Sequence, residues 1–454
     1  MKNKSLANRK MQQYKLITFI GIVVFLISPQ NKAQTSDSTQ VLTLEKVWSI
    51  SELHNRQLKL SDLHRKESEL SIIEAKDKLL PDLSVAGDFK FNSKFLIYNN
   101  GLLASPQDVP VSNYGYGVGY NFNLNLYSGG KEKRNIKMKE EEEIIQQYEF
   151  DLQKNNTKYN AAVAYCDLYK FLQFREFIST EISSEKKQLQ MIENLNKNGV
   201  VMKSDVLRTS VKLSQLELSL SDIEKKIEVT RQKLNILMGR DGNEYFEISY
   251  QNSFEPNTIR EPDYNAYLDQ ALDQSPQYKI AYSYIKLSEM NIQQVQSAVL
   301  PKVSLYSNYN YTFPQVSFYP YSNDLWGFGQ TGIRVQFSID NLYKNRHSVA
   351  HARNLSDQQK EKAGIKKDEI RMLVKDAYLQ QQQAVESVEM AEKNIAKTTE
   401  TVRVIRNSYL NQESLLTDLL DAENVLLEAK LNLTTAQVTL KLSHIRLLAI
   451  IGIL

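Results

Sequence analysis

The sequence predicts a mainly α-helical chain with a membrane-type β portion, built as a duplicated helix–strand–strand–long helix–helix unit. Three observations predict it. The chain repeats itself in register, each half holds a long stretch almost free of helix breakers, and four short segments alternate apolar with polar residues.

The chain opens with a segment to be set aside. Residues 1–33 carry six basic residues and no acid, and hold the apolar run LITFIGIVVFLIS at 16–28. That run is too short to span a bilayer but suits the core of a secretory signal, with cleavage after Ala33 and an alternative start at Met11. Without the segment, 50 basic residues face 53 acidic ones, so no broad basic surface points to nucleic acid. The single cysteine, Cys166, allows no intramolecular disulfide framework, and no cysteine near the cleavage site suggests a lipid anchor. Outside the signal no apolar run approaches the ~18 residues of a membrane helix. An exported chain of this kind is soluble, surface-attached or a β-barrel.

The duplication rests on matched points in one order. MKSDVLRTSVKLSQLE (202–217) pairs with LLTDLLDAENVLLEAK (415–430), which aligns Asp205 with Asp418 and, at the same shift of 213, Gly239 with Gly452. LTLEKVWSISELHNRQLKLSDL (42–63) resembles 265–285 in spacing, and Leu80-Pro81 matches Leu300-Pro301. GVGYNFNLNLYSGGK (117–131) pairs with TGIRVQFSIDNLYKN (331–345), Leu126-Tyr127 against Leu342-Tyr343. The expected organisation is a signal at 1–33, a first repeat at 34–240, a polar connector at 241–261 and a second repeat at 262–454.

In each half a first helix stops at Leu-Pro, because proline breaks it. Two strands are then expected, at 82–98 and 113–128 in the first repeat and at 302–318 and 327–341 in the second. One face of this alternation holds Leu83, Val85 and Phe89, then Tyr120, Phe122 and Leu124, then Val335 and Phe337; the other is Ser, Asn, Asp and Gly. Tyr, Phe and Trp326 crowd these segments, as they do at membrane interfaces. The eight named apolar residues are therefore expected to face lipid. Four strands cannot close a barrel, and open strand edges are not tolerated in lipid, so several chains must share one barrel. An ordinary sheet over a soluble core is the competing reading of the same alternation.

The helical hairpins are expected at 131–238, with a tip at 196–205, and at 344–454, with a tip at 409–418. The first helix of each spans on the order of 100 Å at 1.5 Å per residue, and needs lateral support as in a coiled coil. Leu419, Leu426, Leu433, Leu440 and Leu447 recur every seven residues, each followed three positions later by Ala422, Ala429, Ala436, Ser443 or Ile450. Val206, Leu213, Leu220, Ile227 and Leu234 repeat the series in the first half.

Few residues suggest chemistry. His347 and His351 stand at i and i+4, but the glutamate of H-E-x-x-H is missing and no third ligand stands out, so they read as surface histidines rather than metal ligands. The run Glu140–Glu143 reads as a solvated helix face. Asp418 and Asp421 share one helical face without a substrate cleft. No enzyme, metal or cofactor is expected.

The phrase GVVMKSDVL (199–207), paired with LLTDLLDAENVLLEAK, resembles the hairpin ends of the TolC-like outer-membrane efflux channels, and the two Leu-Pro joints and the duplicated element order resemble them too. The resemblance implies a homotrimer in the outer membrane of a Gram-negative bacterium, its 12-stranded barrel continued by a periplasmic α-helical barrel. It implies a periplasmic gate at Asp418 and Asp421, with Tyr409 and its acidic partner Asp205 holding the tube shut. Ser414 departs from the pattern, standing where some members carry an arginine. The tips, with Gly199, Val200, Ser204, Ser414, Leu415 and Thr417, are expected to meet a periplasmic adaptor of an inner-membrane pump. The implied function is a passive exit duct of a tripartite efflux or type I secretion system. The rivals are a periplasmic coiled-coil adaptor, expected to have one hairpin between small β-domains, and a structural protein of an export complex.

Overall fold

The structure is a computed structural model that describes residues 41–99, 101–242, 244–249 and 263–454. The expected signal and most of the expected connector lie outside these residues. Contacts divide the chain into a small unit, residues 1–41 with 245–247, and a main unit, 42–244 with 248–454. Of the small unit, the described residues are Val41 and Tyr245–Glu247. All that follows concerns the main unit. No helix among the described residues is long and apolar enough to cross a membrane.

The first repeat begins with α1 (Leu44–His54) and α2 (Arg56–Asp77). Asn55 divides them: its Oδ1 accepts the N–H groups of Gln57 and Leu58 at 3.0 and 3.1 Å, capping α2. Its amide nitrogen also donates to the Leu237 carbonyl at 2.9 Å, tying this short pair to the far end of the same repeat. β1 (Asp82–Phe91) follows Pro81, then a small hairpin of β2 (Phe95–Ile97) and β3 (Gln107–Val109), then β4 (Tyr114–Ser128). The long α3 (Lys131–Lys197) and α4 (Lys203–Leu237) close the repeat. The second repeat runs α5 (Tyr264–Gln274), α6 (Pro276–Gln296), β5 (Lys302–Phe313), β6 (Trp326–Gln336), α7 (Asn341–Leu410) and α8 (Leu416–Ile451).

The strands form one antiparallel sheet in the order β1–β4–β5–β6. Its register stacks like on like. Leu83 lies opposite Phe122 and Val85 opposite Tyr120; Leu124 faces Leu305, and Val335 faces Val303. One face is therefore continuously apolar and aromatic, yet it packs on nothing: Val85 is 74% and Ile333 66% exposed. The hydroxyls on that face satisfy one another, Tyr120 with Ser307 at 3.2 Å and Ser307 with Thr331 at 2.8 Å. The opposite face carries Asn121, Asn123, Asn308, Gln330 and several glycines. Gly329 is one place where only glycine fits, because a Cβ there would run into the Tyr309 ring. β1 and β6 each leave one edge unpaired within the chain.

Three strand limits differ from those the alternation suggests. The first strand ends at Phe91, not near 98, because Asn92 turns the chain, its backbone N–H and side-chain amide donating to the Asn113 and Ser112 carbonyls at 2.8 and 3.0 Å. β5 stops at Phe313, since Pro314 has no N–H to extend the ladder. β6 stops at Gln336, so Phe337 lies just past the strand.

The sequence match of Leu126-Tyr127 with Leu342-Tyr343 is also corrected. The first pair is in β4, while the second is in the first turn of α7. In the first repeat, Gly129 and Gly130, with φ of 66° and 75°, turn the strand into the helix. The second repeat has no glycine there and starts its helix at Asn341.

Each long helix packs antiparallel on its shorter partner. The expected heptad positions Leu419, Leu440 and Leu447 are buried, as are Ile227 and Leu234 in the first repeat. Cys166 lies in a fully buried stretch of α3 beside Tyr165, and burial pushes its thiol up to about 12.

Candidate functional site: the hairpin tips and a buried charge cluster

The two hairpin tips are the same construction written twice. At the end of α3 the N–H groups of Asn198, Gly199 and Val200 donate to the carbonyls of Asn194, Asn196 and Leu195. At the end of α7 those of Asn411, Gln412 and Glu413 donate to Asn407, Tyr409 and Ser408, each pair 213 positions later. Such helix ends need one residue in the left-handed region. Gly199 supplies it with φ 75°, and in the second tip Gln412 adopts φ 64° without being a glycine.

The next helices start alike. The Asp205 carboxylate accepts the Met202 N–H at 3.3 Å, and the Asp418 carboxylate accepts the Leu415 N–H at 3.2 Å. Both acids thus cap helix starts, where the macrodipole also favours negative charge. Asp418 and Asp421 are exposed and free of ion pairs with any described residue.

Tyr409 is half-buried and packs with Val201 and Val206 against a small core of Ile192, Leu416 and Leu420. That core joins the first hairpin to the second. Burial pushes the Tyr409 phenol up, and the charge of Asp205 adds to the shift. The structure therefore brings Tyr409 and Asp205 within electrostatic reach. Ser414 donates to the Ile405 carbonyl at 3.3 Å, and at the matching place of the first tip Asn196 donates to Val201 at 2.8 Å. Gly199, Val200, Ser204 and Leu415 are exposed at the tips, while Thr417 is half-buried.

Sequence reasoning missed the densest site in the hairpins. Further along them, Lys212 of α4 is almost fully buried, its ammonium 2.9 Å from Glu423 of α8, 3.1 Å from Glu185 and 3.7 Å from Glu181, both of α3. Arg406 of α7 holds the other oxygen of Glu423 at 2.9 Å. All four hairpin helices contribute. Three of the carboxylates each bring an oxygen within 4.8 Å of the others, the spacing that holds a cation, and here the cation is the chain's own ammonium.

Burial acts to lower the Lys212 pKa, but the carboxylates of Glu423 and Glu185 outweigh it, and the net shift is upward. For Glu185 burial wins over Lys212, and its pKa is raised. Both shifts are upward, which favours the charged lysine and the neutral glutamate; at Glu185 the charges of Glu423 and Glu181 add to the burial, and its Oε1 is buried with no hydrogen bond among the described residues. The signal that could have revealed the cluster is a lysine at a position where the flanking Thr209, Leu216 and Ile223 mark the packed face of α4.

His347 and His351 are exposed near the start of α7 and are not gathered with a third ligand among the described residues.

Comparison with known proteins agrees with this geometry. The profile of the family described as outer membrane efflux protein matches residues 267–453, the second repeat. No curated protein sequence matches the chain. Among solved structures, the outer membrane protein VceC of Vibrio cholerae is similar over 90% of this chain and 96% of its own, with 15% identity and a TM-score of 0.72. CusC, described in connection with transmembrane channel formation, is similar over 90% and 92%, with 15% identity and a TM-score of 0.76. The CmeC outer membrane channel of Campylobacter jejuni is similar over 90% and 85%, with 17% identity and a TM-score of 0.72. At these identities the likeness is one of fold. The outer membrane efflux protein profile thus covers the second repeat, and the fold of such outer-membrane channels extends along both repeats.

Proposed function

We propose that three copies of this chain form the outer-membrane exit duct of a tripartite efflux or type I secretion system, gated at the second hairpin tip. The observation that carries this reading is the four-stranded sheet with two edges unpaired within the chain and one apolar face on which nothing among the described residues packs. Lipid tolerates that face but not the edges, so each β6 edge must meet a β1 edge of another copy. The alternating directions of β1, β4, β5 and β6 make that junction antiparallel as well. Three copies give twelve strands, and the hairpins continue the wall beyond the membrane. The duct is passive, and an inner-membrane pump with a periplasmic adaptor at the tips supplies the energy.

At the gate, Asp418 and Asp421 of three chains would place six carboxylates around one opening, favouring cations. Tyr409 and Asp205 tie the second hairpin to the first at the same level. The exposed Gly199, Val200, Ser204 and Leu415, with Ser414 and Thr417 beside them, form the surface offered to the adaptor. No second hairpin or four-stranded sheet is expected of an adaptor, and nothing in the fold favours that rival.

The first test is the mass of the protein extracted in detergent from the outer-membrane fraction. A trimer is expected; a monomer in the soluble periplasm would overturn the reading. The gate is tested by single-channel currents of Asp418→Ala and Asp421→Ala. Weaker cation selectivity is expected, and unchanged selectivity in both variants removes these residues from the gate.

A further inference from the structure

The polar face of the sheet holds an arrangement that neither the gate nor the lipid boundary uses. Alternation places Lys302, Ser304 and Tyr306 of β5 on this face, beside Gly332, Arg334 and Gln336 of β6. Ser304 lies opposite Arg334 and Lys302 opposite Gln336, so the two cations are diagonal neighbours on one surface. Diagonal positions on adjacent strands lie about 7–8 Å apart, close enough for long side chains to interact. Like charges that close are unfavourable unless something opposes them.

No carboxylate among the described residues does so. Among the described residues neither Arg334 nor Lys302 makes an ion pair: Asp340, just past β6, is paired with Lys344 at 3.1 Å, and Asp88 lies toward the other end of the sheet, level with Thr312. Asp82, at the start of β1, is the one remaining acid on the polar face of the described strands.

The Arg334 guanidinium is instead held by a ring. It lies over Tyr306, 4.6 Å from the centroid. The Tyr306 ring in turn lies against Gly332, where a Cβ would meet its hydroxyl at 3.2 Å and its ring carbon at 3.4 Å. Glycine, tyrosine and arginine thus form a stack that holds the cation on the polar face, and among the described residues its donors have no hydrogen-bond partner. A guanidinium stacked on a ring and still free to donate in a plane is suited to an oxyanion.

We infer that Arg334 and Lys302 form an oxyanion-binding collar in the barrel lumen, at the end of the sheet that joins the helices, and that it favours cargo bearing a carboxylate or phosphate group. The inference rests on the exit-duct reading, because the polar face becomes a lumen only when the barrel closes. Three copies place six cations against three Asp82 carboxylates in one ring. Low-dielectric walls focus such a field. The collar therefore opposes in sign the acidic tip residues at the other end of the hairpins.

The test uses the full-length trimer in planar bilayers, in an Asp418→Asn/Asp421→Asn background that removes the tip carboxylates. Reversal potentials in a potassium chloride gradient give the permeability ratio of the two ions. At salt on the order of 0.01 M, where the screening length is about 30 Å, Arg334→Gln/Lys302→Gln is expected to raise the potassium-to-chloride ratio roughly threefold or more. At about 1 M salt the difference should shrink, the screening length falling to about 3 Å. Inorganic phosphate should reduce the current of the parent and not that of the double variant. Arg334→Lys, which keeps the charge and loses the planar fork, should retain the ion selectivity and weaken the phosphate block. An equal permeability ratio with and without the two cations at low salt overturns the collar, while a parent that conducts no ions overturns the exit duct itself.

Discussion

Replacing Lys212 with methionine should loosen the junction between the two hairpins, and the structure sets the size of the effect. The substitution nearly keeps the length of the side chain and removes the one ammonium shared by Glu185, Glu181 and Glu423, leaving Arg406 on Glu423. Each close contact is worth about 5 kcal/mol of Coulomb energy at 3 Å and an effective dielectric of ~20, but much of that is offset by desolvation. Breaking a buried pair by removing one partner typically costs ~3–5 kcal/mol. The loss has a ceiling, because a stranded carboxylate can take up a proton. From the usual glutamate value of 4.5 to pH 7, protonating Glu185 costs about 3.5 kcal/mol at 1.36 kcal/mol per unit.

The deficit should therefore be about 3 kcal/mol at pH 7 and under about 1 kcal/mol at pH 5. The sign follows from linkage. Glu185 has a folded pKa above its unfolded one, so the folded state binds protons more readily and its stability falls as pH rises through that folded value. Hydrogen exchange of the trimer in detergent, read by mass spectrometry over 178–216 and 402–427, measures the local opening. Exchange should accelerate roughly a hundredfold at neutral pH, since ~1.4 kcal/mol is tenfold. A second substitution, Glu185→Gln, should recover much of the loss by removing the stranded charge. Unchanged exchange in Lys212→Met, or an acceleration independent of pH, would refute the assignment of Lys212 as the counter-ion of this cluster.

Other expectations concern the backbone. Gln412→Gly should stabilise the second tip by about 1 kcal/mol, since a left-handed residue other than glycine carries a penalty of ~1–2 kcal/mol; slower proteolysis of the tip checks it. Asp205→Ala and Asp418→Ala should each weaken a helix start by about 1 kcal/mol, seen as faster amide exchange at 202–206 or 415–419. Gly329→Val should prevent assembly of the trimer on a native gel, because the added carbon meets the Tyr309 ring. Gly364→Ala, inside α7 with open space around it, should instead raise thermal stability by roughly 0.5–1 kcal/mol.

The legible and illegible parts of this molecule divide along the range of the interactions. Periodicity reveals the sheet faces, since each side chain in a strand points opposite to its neighbours whatever surrounds it. Leu83, Val85, Phe89, Tyr120, Phe122, Leu124 and Val335 accordingly lie on the exposed apolar face, while Phe337 falls outside because the strand ends for reasons of local turn chemistry. The equivalence of Asp205 and Asp418 was readable from the repeat, but their capping bonds were not, because a carboxylate three residues into a helix reads equally well as a gate charge. Of the Lys212 cluster only the lysine on the packed face of α4 was legible; its partners were not, because they come from three other helices and read as ordinary charges. Only the docking of four helices makes them one site.

That docking also shows what the duplication did not keep. The two tips share the three backbone bonds that end their first helices, yet the positions matching the cluster have diverged: Lys212 corresponds to Val425, Glu423 to Ser210, Glu185 to Thr398 and Arg406 to Glu193. A chain with two interchangeable hairpins could dock either one against a copy of itself. Two copies of the first hairpin would bring Lys212 against Ser210 in place of Glu423, leaving the lysine with the carboxylates of its own hairpin alone. Two copies of the second would set Glu423 against Val425, with no lysine to meet it. Only the first hairpin beside the second completes the charge set. A buried polar group that is satisfied in one arrangement alone is the known means by which helical assemblies specify pairing and register. The prediction is that Lys212→Val with Glu423→Ser, which removes the pair that joins the two hairpins and makes them alike at these two positions, yields trimers of mixed hairpin order that inter-hairpin disulfide mapping detects. A single order in that variant would place the specificity elsewhere in the helices.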